Sequence, residues 1–223
     1  CPYCKRDMQF VTESGEVINT VSISIDEVLR LCLWALTQNE TPRFSGGDPV
    51  SFKAETLAIA EYLYLIHDAK MSIAHNGTWG QSIKSLVPYL SSAAIDLKAT
   101  PDKLGTIMGV KISAGESLYK QSLKTQATLT SSGVLVDIRT PIFGDTSLAD
   151  METLAKDISN TNDLSYVFWT WRLYKKVEGC DWAIPDLEIV KSQMVHISKL
   201  YPMIWMGMRA KWQAGGMLYV KNG

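Results

Sequence analysis

Apolar residues in this chain recur mostly at helical spacing, and Pro and Gly cut the helical stretches apart at short intervals. Ser24-Ile25-Asp26-Glu27 reads as a capping box, a Ser hydroxyl and a Glu three residues on that satisfy each other's backbone donors. Behind it Val28, Leu29, Cys32, Leu33 and Leu36 form one helical stripe to about Thr37. Thr41-Pro42 and Ser45-Gly46-Gly47-Asp48-Pro49 break the chain. A long helix is predicted over 51–74, with Leu57, Ala60, Leu63, Tyr64 and Ile66/His67 as its core stripe and Asn76-Gly77 at its end. Residues 79–98 also look helical, with Pro88 as a start or kink. Thr100 with Pro101 starts another helix, and 113–130 is helix-compatible. Further helices are predicted at 147–159, 163–177, 185–200 and 202–213.

Strand signals are few. Residues 8–12 and 17–21 are β-prone runs around the turn Glu13-Ser14-Gly15-Glu16, a β-hairpin. Val134 to Ile138 reads as a strand or extended connector. The fold class predicted is therefore mainly α: a two-lobed helical protein with a small N-terminal β-hairpin. Its parts are a Cys-bearing arm (1–23), an N-terminal lobe (24–130), a connector (131–146) and a C-terminal lobe (147–223). With 46% hydrophobic and 20% charged residues, the 223-residue chain is composed like a folded domain. No apolar run reaches the ~18 residues that span a bilayer, so no membrane partner is expected. Four cysteines in a chain this long are not a disulfide framework, and a cytoplasmic setting is predicted. A start on Cys instead of Met is expected of a processed product, a trimmed chain or the ordered part of something longer.

Cys1-Pro2-Tyr3-Cys4, followed by Lys5, resembles the active-site tetrad of glutaredoxins. In that family the tetrad follows a strand and caps a helix. Here a hairpin follows, and the redox reading is rejected. A C-x2-C turn before a hairpin is also half of a zinc knuckle. Cys32, Cys180, His67, His75 and His196 are the remaining soft donors, and none recurs at a tight second spacing. No metal and no cofactor are assigned. Asn76-Gly77-Thr78 matches a glycosylation acceptor and is taken as a chance match.

Short catalytic motifs are absent: no G-x-S-x-G, no P-loop, no G-x-G-x-x-G. Asp26-Glu27 and Asp186/Glu188 sit in first turns of predicted helices, where the helix dipole accounts for them. The chain is accordingly expected not to be an enzyme. The charge distribution points elsewhere. Residues 164–223 carry eight Lys/Arg against four acids, within a chain of net charge −1. On the predicted helix 163–177, Trp169, Arg172 and Lys176 share a face flanked by Lys175. On 202–213, Trp205 and Arg209 share a face beside Lys211. Rings that stack on bases, interleaved with cations that neutralise phosphates, suit single-stranded RNA. The predicted function is a structural RNA-binding protein of the viral coat or nucleoprotein type, assembled from copies of itself and placed in the cytoplasm or virion. One alternative is a helical interaction scaffold or regulatory subunit, since Met203, Met206, Met208 and Met217 thicken the same region. A second is an enzyme with a site assembled from scattered residues.

Overall fold

The computed structural model describes residues 1, 9–11, 17–19, 24–45, 48–78, 82–177, 179–209 and 219–221. β1 (Gln9–Val11) and β2 (Val17–Asn19) pair antiparallel as a separate hairpin. α1 (Ile25–Thr37) follows its capping residue Ser24, whose Oγ accepts from the Glu27 N–H at 3.2 Å. Then come β3 (Arg43–Phe44), α2 (Lys53–His67), β4 (Met71–His75) and β5 (Leu90–Asp96). α3 (Pro101–Met108), α4 (Ile112–Thr130), β6 (Leu135–Ile142) and α5 (Leu148–Thr161) continue the chain. β7 (Val167–Leu173), α6 (Leu187–Leu200), β8 (Trp205–Arg209) and β9 (Tyr219–Lys221) complete it.

The expected mainly α, two-lobed fold is overturned. β3 to β8 form one parallel sheet in chain order, helices alternate with the strands, and β9 adds antiparallel at the far edge. This is an α/β fold. Residues 131–146, read as a connector, hold β6, which bonds β5 on one side and β7 on the other. One sheet therefore runs through both expected lobes.

Three predicted helices are strands for physical reasons. Parallel strands covered by helices lack the clean alternation that marks half-exposed ones. Val167–Leu173 carries large apolar residues on its buried side and Phe168 on the other, so its run also fits a helical template. β5 holds Ala93 and Ala94, good helix formers that are nonetheless buried within the sheet. The helix predicted over 51–74 stops at Asp68, which takes the left-handed conformation at φ 48° and lets the chain turn into β4.

Strand order equal to chain order, with right-handed crossovers, puts the connecting helices on one face of the sheet. The register defines that face: Ile73, Ala93, Val136 and Val167 in one row, then Ile95, Ile138, Trp169 and Met206, then Trp171 beside Met208. These pack with Leu63, Leu129, Leu154, Ile158, Met194 and Ile197 of the helices into one hydrophobic core. Trp169 is fully buried, and its Nε1–H donates to Thr140 Oγ1 at 2.9 Å. Among the described residues no helix is long and apolar enough to cross a membrane.

Candidate active site

Alternation along each strand sends the intervening side chains to the other, open face. Its rows follow from the same register. Arg43, Ser72, Ser92 and Leu135 are neighbours. The next row is Ala74, Ala94, Asp137, Phe168 and Trp205, and the third is Asp96, Arg139, Thr170 and Gly207. The last row toward the strands' C-terminal ends is Pro141, Arg172 and Arg209. Four arginines and two aspartates from five strands thus share one face, and the Arg172–Arg209 row lies toward the C-terminal end of the parallel sheet, where ligand sites form.

The electrostatics are tight. Asp137 is the hub: Oδ2 accepts from Arg139 Nε at 2.7 Å and Oδ1 from Thr170 Oγ1 at 2.5 Å. Lys98 pairs with Asp96 at the rim. Burial, followed by the positive charge of Arg139, pulls Arg43 below its usual value. Burial brings Arg172 down to about 10, with Arg139 and Arg209 adding to the shift and Asp137 and Asp96 opposing it. Arg172 is still charged at neutrality, so the face holds more positive than negative charge in a desolvated setting. The Nε of Arg209 is buried and has no hydrogen-bond partner among the described residues. A face of this kind can hold an anionic group.

A second polar centre lies at the end of β4, on the covered side of the sheet. His75 ends that strand, is fully buried, and its Nδ1 lies 2.7 and 2.8 Å from the two carboxyl oxygens of Asp48. Asp48 also accepts from the backbone of Val50 and Asn76. Burial pushes the Asp48 carboxyl up, but His75 and the two N–H groups outweigh it and hold it below the usual carboxylate range. The next turn is rigid. Asn76 Oδ1 accepts from Thr78, and Gly77 at φ 84° lies so close to α4 that a Cβ would come 2.5 Å from Ser122 Oγ. The Asn76-Gly77-Thr78 sequence is therefore a structural turn with its Asn side chain engaged, instead of the end of a helix. On the other side, a cavity of about 670 Å3 opens between α1 and α2, with Arg43 and Asp48 among largely apolar walls.

The residues predicted from sequence to bind RNA separate. Arg172 and Arg209 are direct neighbours, on adjacent strands instead of two helices. Trp169 lies on the opposite, helix-covered face and cannot stack on a base. Trp205 is on the open face and 54% exposed. Lys175 and Lys176 are exposed beyond the end of β7, and Lys211 lies outside the described residues. Sequence reasoning missed Arg43, Arg139, Asp96 and Asp137. The one available signal was a charge alternation inside a β-prone run, Val134 to Arg139.

Of the cysteines, Cys1 is exposed and Cys4 lies outside the described residues. Cys32 is buried and its thiol is pushed up to about 11 by burial, which disfavours the thiolate a metal needs. Cys180 is buried in a separate aromatic cluster. His67 is exposed at the end of α2 instead of in the core, and His196 contacts Glu152 at the surface. Among the described residues the donors considered for zinc do not converge, and none of them form a group of three or more His, Cys, Asp or Glu able to hold a metal ion.

No family model matches the chain. It is 24% identical over 177 residues, 74% of this chain and 68% of the relative, to 7-carboxy-7-deazaguanine synthase of Methanocaldococcus jannaschii. Among solved structures it resembles a domain of pyruvate-formate lyase-activating enzyme from Bacteroides vulgatus, with TM-score 0.59 at 12% identity, covering 76% of this chain and 99% of that one. A radical SAM methyltransferase from Sphaerobacter thermophilus matches with TM-score 0.63 at 14% identity, covering 83% and 56%. Streptococcus suis SuiB bound to S-adenosylmethionine matches with TM-score 0.64 at 15% identity, covering 87% and 45%. The chain thus spans about half the length of the last two. At these identities the structural likeness is one of fold, and it is the α/β fold of radical SAM enzymes. These findings overturn the expectation of a viral coat or nucleoprotein without enzymatic activity: the relative and the structural neighbours point to an enzyme. Nothing supports single-stranded RNA, viral assembly or a virion.

Proposed function

We propose that this chain is a cytoplasmic radical S-adenosylmethionine enzyme related to 7-carboxy-7-deazaguanine synthase, acting on a substrate whose anionic group rests on the open face of the sheet. The observation that carries the reading is the gathering of Arg43, Arg139, Arg172 and Arg209 with Asp96 and Asp137 on the open face of a parallel sheet, with Arg172 and Arg209 in the row toward its ligand end. A carboxylate is a ligand chemistry that guanidiniums such as those of Arg172 and Arg209 recognise through paired N–H donors. The buried Arg209 Nε is one donor that such a ligand would satisfy.

Radical chemistry of this kind is supplied by S-adenosylmethionine with an iron–sulfur cluster. Clusters are held by cysteine thiolates. Cys1 and Cys4, at C-x2-C spacing, are the pair in this chain whose donor chemistry fits, and Cys1 is free and exposed. The cluster reading replaces the zinc knuckle. The protein's own work is to bind and orient. Arg172 and Arg209 hold the anion, Asp137 keeps Arg139 and Thr170 in place, and Asp48 with His75 fixes the loop after β3 against the turn after β4.

The test is anaerobic calorimetry with S-adenosylmethionine and with 7-carboxy-7-deazaguanine. The parent is expected to bind both. Arg172→Gln and Arg209→Gln are each expected to weaken the carboxylated ligand by about ten-fold or more, at roughly 1.5–3 kcal/mol for a charge-assisted hydrogen bond. A parent that binds neither ligand after iron and sulfide loading sinks the reading.

A further inference from the structure

The open face is not bare along its whole length. β6 and β7 continue past their last paired residues, because Tyr174 N–H donates to Ile142 O at 2.9 Å. Alternation then puts Phe143 and Tyr174 on the open side, one row beyond Pro141 and Arg172. Their rings meet at 5.2 Å, and Trp182 packs edge-on against Phe143 at 4.8 Å and lies 6.2 Å from Tyr174. With Cys180 they form a second apolar cluster apart from the main core, joined by Ile107 of α3.

This cluster pins residues 174–177 and 179–184, which return to the end of β6. Tyr174 OH accepts from Val177 N and donates to Cys180 O, both at 3.2 Å. Gly144 N–H donates to Ala183 O at 2.7 Å, and a Cβ on Gly144 would come 2.6 Å from that of Ala183. The strap is thus ordered by its own contacts, and it sits directly beyond the arginine row.

We propose that the strap formed by residues 174–177 and 179–184, through the Phe143–Tyr174–Trp182 cluster, roofs the Arg172–Arg209 pair and makes these residues the specificity-determining wall of the anion site. This rests on the anion-site reading above. Removing water from two guanidiniums raises their attraction for a charged ligand over a neutral one of the same shape, because Coulomb energy scales inversely with the local dielectric. It also shields the site from salt. The aromatic cluster acts on the ligand through the arginines, so Trp182 is a positioning residue. The desolvation that lowers Arg172 is consistent with such a cover.

Two readouts on the loaded, full chain test this. The first is phenylglyoxal modification mapped by mass spectrometry, with the exposed Arg30 as an internal standard. Arg172 and Arg209 are expected to react slowly in the parent and at least about ten times faster in Trp182→Ala. Gly144→Ala, which pushes the strap off Ala183, is expected to act in the same direction and serves if Trp182→Ala fails to fold. The second is the ratio of affinities for 7-carboxy-7-deazaguanine and for 7-deazaguanine, at low and high salt. The ratio is expected to fall about ten-fold in the variants and to become salt-dependent. Unchanged arginine reactivity, or equal weakening of both ligands, overturns the proposal. A parent that binds neither ligand removes the anion-site reading itself, and the modification rates still decide whether the strap covers the arginines.

Discussion

On β7, Trp169 and Trp171 are fully buried against the helices, whereas Thr170 and Arg172, one residue away in each case, belong to the charged open face. The same strand carries core and site because alternation is enforced by the pleat, whatever the chemistry of the side chains. The difference between the faces lies in what covers them. Apolar contacts on one side repay the burial of tryptophan. On the other, fixed charges are held close to one another with Asp137 as the shared counter-charge. Substitutions on either side of the sheet should therefore move different quantities.

The largest expected effect is on the covered face. Trp169→Ala removes a fully buried indole and its bond to Thr140, and is expected to cost roughly 3–5 kcal/mol of unfolding free energy. Denaturant midpoints measure it. A cost under about 1 kcal/mol would mean that this face is not the core.

Asp137→Asn comes next and acts on the open face. The carboxylate accepts from Arg139 on one oxygen and Thr170 on the other, and an amide can replace only one of these acceptors. A loss of roughly 1.5–3 kcal/mol is expected. The same change removes negative charge from among the arginines, so the carboxylated ligand should bind more tightly. Weaker binding in D137N would show that Asp137 itself contacts the ligand.

A like-for-like comparison uses the same residue type on the two faces. Trp205→Ala removes a side chain that is already 54% exposed and leaves no closed cavity. Its expected cost is roughly 1–2 kcal/mol, from the area still covered at about 25 cal/mol per Å2. If it matched Trp169→Ala, the open face would be packed like the core and the distinction between the faces would fail.

How much of this was legible follows from which signals are local. Helices announced by local start signals, the capping Ser24 and Ser147 or the prolines Pro101 and Pro185, exist close to where the sequence puts them, because such signals act within one turn. β7 and β8 were not legible. Trp169, Arg172 and Lys176 fit helical spacing as well as Trp169, Trp171 and Leu173 fit a strand, and only neighbouring strands decide between the two. Arg172 and Arg209 stood out in the sequence as charges among aromatics, but on helices and for RNA. Arg43, Asp96, Asp137 and Arg139 come from three other strands, and their meeting depends on register, which no local pattern encodes.

The smallest expected effect concerns a titratable side chain among the apolar rows of the covered face. His75 pairs in register with Ile95 and is fully buried, with Asp48 across from its Nδ1 and its Nε2 without a partner among the described residues. Asp48 is held below its usual range, so its folded value lies under the unfolded one near 4. Such a group contributes stability above the unfolded value, and the contribution is lost as pH falls through the folded value. Asp48→Asn is expected to cost about 1 kcal/mol near neutrality, because the amide can still accept from Val50 but gives up the charge facing His75. The gap between parent and D48N should begin to narrow below roughly pH 4 and close only once the pH has fallen below the depressed folded value, where the parent's carboxyl is protonated as well. Comparing the two proteins removes the contribution of every other carboxylate. A gap that stays constant from neutral to acid pH would mean that the pair contributes through shape alone, and that the covered face tolerates His75 without the charge of Asp48.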